Sequence, residues 1–579
     1  MSRAAHVLCV FLLALFGASA CGPSGSDTTS GGGGAGAGGA GGSGGGGGAA
    51  PATAFDPEHV LEVAITMAPA DWDALRFQAN DLEKLLGGDC LAGPKDSVFS
   101  YFHAAVSIDG QEYPDVGVRK KGFVGSLSVS RPSLKIKLDE YVPGGSFFDM
   151  DRLTLNNMKQ DDSRVRTCLA LERYAAAGVP ASRCSFAHVT VNGQDLGVYA
   201  NIESAEKFML RRHFDDDDGN LYEGAMSDFR PEWVNTYEKK TNESDPDRSD
   251  LQALTDALQA PDAELLAQVE PLVDVDAFLT YWAMESILAS WDGYTGGQNN
   301  HLVYHDPTTG KMFFLPWSPD ATFEPDNPFA SGDLPQSVYA ASALPNRLYA
   351  LPEIRQKYRE RLLALLDQVM SPDAVMADID RMEAVISPFV TGDQAAWKAE
   401  VDAVRGFVTN RAAALQAEVA DGPVDYSYPM SDSPCIEVVG SATGSFSTTM
   451  GTLALENPFG TGDGALSLDV FGMAGDALNV GAAAGPDSGA ITVTVVAAMP
   501  GGKFAVVVFL IDPSVLQKGA DLPIDPQQAF GILGGVGSNQ EFTLLGFLNN
   551  GTLHLDEAGL KDGDALAGTF TADVLGKMP

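Results

Sequence analysis

Two stretches in the middle of the chain carry oxygen donors at spacings suited to cation or base chemistry. The first is Trp291-Asp292-Gly293-Tyr294 followed by Asn299-Asn300. An Asp with an Asn about eight residues later offers two hard donors from one loop. That pairing suits Mg²⁺ or Ca²⁺, or an Asp acting as base beside an Asn that holds metal. The second is Phe314-Leu315-Pro316-Trp317-Ser318-Pro319-Asp320, a strand running into a turn that ends in a carboxylate. A strand-borne Asp after an Asp…Asn loop is the order in which phosphoryl-transfer sites supply a second metal ligand. Positive charge lies upstream. Arg119-Lys120-Lys121-Gly122-Phe123-Val124-Gly125-Ser126-Leu127-Ser128 is a basic Gly/Ser loop directly after a strand. Such a loop can turn backbone N–H groups toward a phosphate, although the Gly-Lys-Ser/Thr order of a Walker A loop is missing. Lys135 and Lys137 share one face of the next strand. Each piece alone is an ordinary turn or a wet strand face; their order points to a site.

Other clusters carry less. Asp215–Asp218 reads as a solvated loop, since EF-hand spacing is absent. His301 and His305 flank a strand and lie too far apart to chelate one zinc easily. No His-Glu-x-x-His, Gly-x-Ser-x-Gly or Cys-x-x-Cys occurs. Cys90, Cys168, Cys184 and Cys435 allow three disulfide connectivities, and sequence does not choose among them.

The elements that must position these groups follow from periodicity. His59–Thr66 and Ser133–Leu138 alternate as strands, and Ala70–Leu86 has helical spacing. Hairpins are expected at Asp109-Gly110 and Asn192-Gly193, and an amphipathic helix over Ser163–Ala177. Residues 250–290 read as helices, with Asp276–Ser290 apolar enough to be buried. Leu302–Tyr304 and Met312–Leu315 are short strands, and Arg347–Val369 and Ala374–Val419 are helical. From Tyr426 onward Gly and β-branched residues dominate, in short alternating runs such as Phe504–Ile511. That is an all-β sandwich or barrel without an enzyme motif.

The whole chain has 579 residues, a net charge of −40 and 45% hydrophobic residues. The apolar content supports packed cores over several domains, and the charge argues against nucleic acid and against a basic membrane-binding patch. Arg3, the apolar run Val7–Phe16 and the small residues before Cys21 read as a secretory signal. Ala18-Ser19-Ala20-Cys21 resembles a bacterial lipobox, with Ala18 where Leu is usual. Cys21 is thus the expected lipidation site, with plain cleavage after Ala20 the alternative. Gly22, not Asp, follows the cysteine, which by resemblance to proteobacterial lipoproteins implies an outer-membrane or cell-surface address, and a Gly-rich tether follows.

From about Leu61 to Arg411 the chain resembles the spore coat protein H (CotH) kinase-like family. The resemblance rests on Arg119–Ser128 with Lys135-Ile136-Lys137, on Asn156–Asp162 into Arg166, and on Val191-Asn192-Gly193 through Tyr199 to Glu203. Gly219–Tyr222, Asp292-Gly293-Tyr294, Asn300–Tyr304 and Pro316-Trp317 through Asp320 complete it. It implies an α+β, two-lobed atypical kinase-like domain using ATP and Mg²⁺ to phosphorylate Ser/Thr of a protein. Lys135 or Lys137 would touch ATP phosphates, with Arg119, Gly122, Ser126 and Glu203 in the cofactor site. Glu172 would partner the lysine, by kinase analogy. Asp292 would be the base or a metal-site carboxylate, and Asn300 and Asp320 would hold Mg²⁺. Family members usually read Pro-Trp-Asp-x-Asp; here Ser318 replaces one carboxylate. The alternative is therefore an inactive scaffold or binding protein of the cell envelope or spore coat. The expected organisation is a signal over 1–20, a lipidated tether over 21–54, the CotH-type domain over 55–425 and the acidic all-β domain over 426–579.

Overall fold

Two-residue turns with both central residues at positive φ start the architecture. Asp109 and Gly110 sit at φ 48° and 80°, and Asn192 and Gly193 at 51° and 78°. This is the hairpin geometry that Asp-Gly and Asn-Gly favour. The structure is a computed structural model and describes residues 53–95, 97–324, 334–454, 460–487, 489–536 and 542–577. The signal, Cys21 and the tether up to residue 52 lie outside the described residues.

Seven strands close a first barrel: β1 (Val60–Thr66), β2 (Phe102–Ile108), β3 (Gln111–Lys121), β4 (Ser133–Lys137), β5 (Arg152–Asn156), β6 (Cys184–Val191) and β7 (Gln194–Ile202). Neighbours pair antiparallel except β1 and β6, whose parallel pairing closes the ring. Alternation along β1 sends Leu61, Val63 and Ile65 inward, where they meet Val106, Ile136, Leu155 and Val189. The stretch read as one helix over 70–86 is two, Pro69–Phe77 and Leu82–Leu86. Asp81 caps the second by accepting from the N–H groups of Glu83 and Lys84.

The second lobe packs helices around a four-stranded sheet. Its strands are β8 (Asn220–Gly224), β9 (Glu238–Lys239), β10 (His301–Asp306) and β11 (Lys311–Pro316), in the order β11-β10-β8-β9. The central helix, Val275–Ile287, is buried on nearly every side. The helix read over Arg347–Val369 breaks into Ala343–Tyr349 and Pro352–Val369, because a proline fits best at a helix start.

The C-terminal region is a barrel. Eight strands close it: β12 (Glu437–Thr449), β13 (Gly462–Val470), β15 (Asn479–Asp487), β16 (Ala490–Met499), β17 (Lys503–Ile511), β19 (Ala529–Val536), β20 (Phe542–Ala558) and β21 (Ala565–Gly576). The pairing of β12 with β13 completes the ring, while β14 (Met473–Asp476) and β18 (Asp521–Ile524) sit beside it. Strand β17 is apolar on both faces. Ala505, Val507 and Phe509 fill the barrel, whereas outward Leu510 joins Phe530, Ile532, Leu82, Leu86 and Val124 in a seam between barrel and first domain. Covering both faces removes the usual polar alternation.

Two disulfides resolve the connectivity. Cys168–Cys184 ties a helix to β6, and Cys90–Cys435 ties the first domain to the segment entering the barrel.

Candidate active site

Between the first barrel and the helical lobe lies a cleft of about 590 Å³. Arg119, Lys120 and Lys121 at the end of β3 all line it. Lys120 donates to the carbonyls of Arg76 and Gln78 at 2.8 Å each, and to Gln527 of the C-terminal barrel. On β4, Lys135 faces the cleft. Lys121 and Lys135 form no ion pair among the described residues. Burial, with Lys240 next, lowers the Lys135 ammonium to about 8, against the pull of Glu223. Burial also lowers Lys121, against Glu223 and Asp320.

The loop after β3 is shaped by close approach. Gly122 sits at φ 129°, and a side chain there would stand 2.6 Å from Ser126 Oγ. Asn80 holds this loop through the carbonyls of Gly122 and Phe123, each at 3.2 Å. Asn157 does so through those of Ser126 (3.0 Å) and Arg131 (2.7 Å). Gly122 and Ser126 both line the cleft.

Opposite the lysines stand the carboxylates. Asp292 follows the central helix, and Glu285 of that helix fixes its loop. The Glu285 carboxylate accepts from the N–H groups of Tyr294 (2.9 Å) and Thr295 (2.7 Å) and from the Tyr281 hydroxyl (2.5 Å). Asn300 Nδ2 donates to Asp292 Oδ2 at 2.8 Å, and Asn299 Nδ2 to Asp292 Oδ1 at 3.3 Å. Burial, then the charge of Asp320, raises the Asp292 carboxyl to about 7. Burial, then Asp161, raises Asp320 to about 6, and Lys121 draws it down. No cation lies within ion-pair distance of Asp292 or Asp320 among the described residues. Ser318 occupies the left-handed region at φ 47°, and its hydroxyl accepts from Asn156 Nδ2 at 3.2 Å.

Among the described residues no group of three or more His, Cys, Asp or Glu side chains converges as a metal cage. The buried Asp320 and the half-buried Asp292, beside the Asn300 amide, are the cleft residues that could serve a cation taking its remaining ligands from phosphate and water.

The structure brings Arg119, Gly122, Ser126, Lys135, Asp292, Asn300 and Asp320 to one cleft. Three expected residues go elsewhere. Lys137 shares its strand face with Lys135 but lies farther along and pairs with Glu140 at 2.9 Å. Glu172 pairs with Arg381 at 2.9 Å instead of a cleft lysine, because its side of the helix meets the helix Pro372–Ile386. Glu203 is buried and takes Arg183 at 2.8 Å and Arg212 as partners, a clamp outside the cleft. Two cleft residues escaped sequence reading. Glu223 accepts from Trp317 Nε1 at 2.9 Å, and Lys240 approaches it to 3.2 Å. Burial pushes the Glu223 carboxyl up, but Lys240, Lys135 and Lys121 together hold it below its ordinary value. Glu223 stands one residue past Gly219–Tyr222, which was the available signal.

A strand barrel over a helical lobe, with a lysine- and carboxylate-lined cleft between them, defines a two-lobed α+β domain with an appended barrel. The family model described as "CotH kinase protein" matches residues 118–415, and the chain belongs to this family. Inner spore coat protein H of Bacillus subtilis (strain 168) is 27% identical over 256 residues, covering 41% of this chain and 68% of that protein. Invasin CotH3 of Rhizopus delemar is 28% identical over 186 residues, 29% of this chain. The match spans about a third (31%) of that invasin. Among solved structures, the Helicobacter pylori proinflammatory kinase CtkA aligns over 52% of this chain and 95% of its own. Its TM-score of 0.27 and 10% identity carry no inference about activity.

Proposed function

We propose that this chain is an exported phosphotransferase that moves the terminal phosphoryl group of ATP to a Ser or Thr hydroxyl of a protein. One observation carries the reading: lysines without ion pairs (Lys121, Lys135) face carboxylates without cations (Asp292, Asp320) across one cleft. Lys121, Lys135 and Arg119 would bind the phosphates. Asn300 orients Asp292, whose raised basicity suits it to take the acceptor's proton near neutral pH. The hydroxyl oxygen then bonds the γ-phosphorus, the bond to the bridging oxygen breaks, and ADP leaves. Asp320 and Asn300 would hold Mg²⁺, which when bound supplies charge neutralisation for the transferred group.

Export is supported by the two disulfides, which belong to oxidising compartments, and by relatives named as a spore coat protein and as invasins. Acylation of Cys21, anchoring the chain to the outer membrane or cell surface, is part of the same reading. Mass spectrometry of the mature N-terminus tests it, and an unmodified Cys21 would remove the anchor.

The test of catalysis is transfer of labelled phosphate from ATP to protein, comparing wild type with Asp292→Asn and Lys135→Met. Transfer that persists in both variants would refute the site; absence of nucleotide binding by the wild type would refute the function. Ser318 favours a second reading, a non-catalytic binding protein of the envelope. Ser318→Asp gaining nucleotide binding that the wild type lacks would support it, and transfer by the wild type would end it.

A further inference from the structure

The C-terminal barrel also closes a second, smaller cavity of about 230 Å³, which shares Val124, Gly125 and Phe530 with the cleft. Arg131, Lys159 and Arg164 line it. None of the three forms an ion pair among the described residues. Arg131 Nε donates to the Leu196 carbonyl at 2.8 Å, and Lys159 Nζ to that of Leu127. Arg164 donates to the carbonyls of Asn157 (3.2 Å) and Met158 (3.1 Å). Carbonyls satisfy hydrogen bonds but neutralise no charge. Burial, then the nearby Arg164 charge, lowers the Arg131 guanidinium to about 9, so the cluster is both desolvated and self-repelling.

Among the described residues two carboxylates line the same cavity, Asp162 and Asp512. Asp512, from the barrel, is already engaged. It accepts from the Val129 N–H (3.2 Å) and from the hydroxyls of Ser128 (3.3 Å) and Ser130 (3.4 Å). That contact shows the loop's donors accommodating a carboxylate oxygen. In the cavity wall itself three cations stand against two carboxylates, with Asp161 acting on Arg164 and Asp195 on Arg131 from outside the wall, in a chain whose net charge is −40. Guanidinium forks match tetrahedral oxyanions in geometry. With walls from two domains, a cavity of this size holds a small ion and a few waters, since each water takes about 30 Å³.

We infer that the seam cavity binds a free phosphate-sized oxyanion, held by Arg131, Lys159 and Arg164. The inference is independent of the reaction proposed for the cleft. Inorganic phosphate is titrated into the full chain by calorimetry, with thermal unfolding as a second readout. The wild type, Lys159→Gln, Asp512→Asn and the cleft variant Lys135→Met are compared. Saturable binding by the wild type is expected. It should weaken about tenfold in Lys159→Gln, tighten about threefold in Asp512→Asn, and stay within about twofold in Lys135→Met. Absence of saturable binding, wild-type affinity in Lys159→Gln, or loss of binding in Lys135→Met would overturn the inference. If Lys159→Gln fails to fold, Asp512→Asn decides: an affinity unchanged or weakened overturns it.

Discussion

Gly293 lies directly against Glu285: a methyl group on Gly293 would stand 2.1 Å from the Glu285 Oε1 atom. The helix and the Asp292 loop therefore approach as closely as a missing side chain allows. Gly293→Ala must displace the carboxylate that receives the Tyr294 and Thr295 N–H groups. The expected cost is about 2 kcal/mol of stability, from overpacking and lost hydrogen bonds. Divalent-cation binding should fall further than that cost alone accounts for. Wild-type melting and cation affinity in the variant would show that the loop is free to move.

Asp320 is 5% exposed and keeps its charge in a site that disfavours it. Replacing it by Asn removes that burden while preserving shape. Asp320→Asn should raise the unfolding free energy at neutral pH by on the order of 2 kcal/mol, and abolish any added stabilisation by Mg²⁺. Calorimetric melting with Mg²⁺ and with chelator measures both. A variant that melts lower than wild type in chelator contradicts this reading of the site.

The pH dependence has a definite sign. Burial raises Glu285 and Asp292 to about 7 and Asp320 to about 6 in the folded chain. A raised folded-state value contributes stability that is full below the unfolded value, near pH 4, and is lost as pH rises through about 6 and 7. Deprotonation over that window frees Asp320 to bind a cation and Asp292 to accept a proton. The gap between melting temperatures with Mg²⁺ and with chelator should thus widen from about pH 5 to about pH 8. A gap that is constant with pH would detach Asp320 from cation binding.

The Cys90–Cys435 bridge joins residues 345 positions apart, beside the seam cluster of Leu82, Leu86, Ile436 and Phe530. Cys435→Ser should cost about 3 kcal/mol and let the C-terminal barrel melt separately from the rest. Differential scanning calorimetry resolves this as a second transition. One transition at the wild-type temperature would assign the seam's strength to packing alone.

Hairpins were the most legible part of the fold, because Asp109-Gly110 and Asn192-Gly193 meet a local demand for positive φ that neighbours cannot alter. The appended all-β domain followed from strand periodicity, which left sandwich and barrel open, whereas the two-lobed α+β domain followed from the family resemblance. The cleft was legible where its residues sit in consecutive loops, as Asp292 and Asn300 do. It was not legible at Glu223 and Lys240, which meet the site only through the strand order β11-β10-β8-β9. Lys137 misled because alternation gives the side of a strand, not the position along it at which a cavity ends. Glu172 misled because an analogy supplied its partner, whereas packing of the helix Pro372–Ile386 supplied Arg381. The grip of Asp512 on Val129 spans 383 positions and has no local trace.

The same Cys90–Cys435 bond makes a covalent ring of everything between its ends. The connecting segment 423–435 contains exposed positions and no helix or strand, a natural place for a protease to cut. A single cut there would leave two fragments that still travel together, migrating apart only after reduction. The barrel could thus be nicked from the two-lobed domain without being shed, so fragments seen on a reducing gel would overstate how far the two halves part in the native protein.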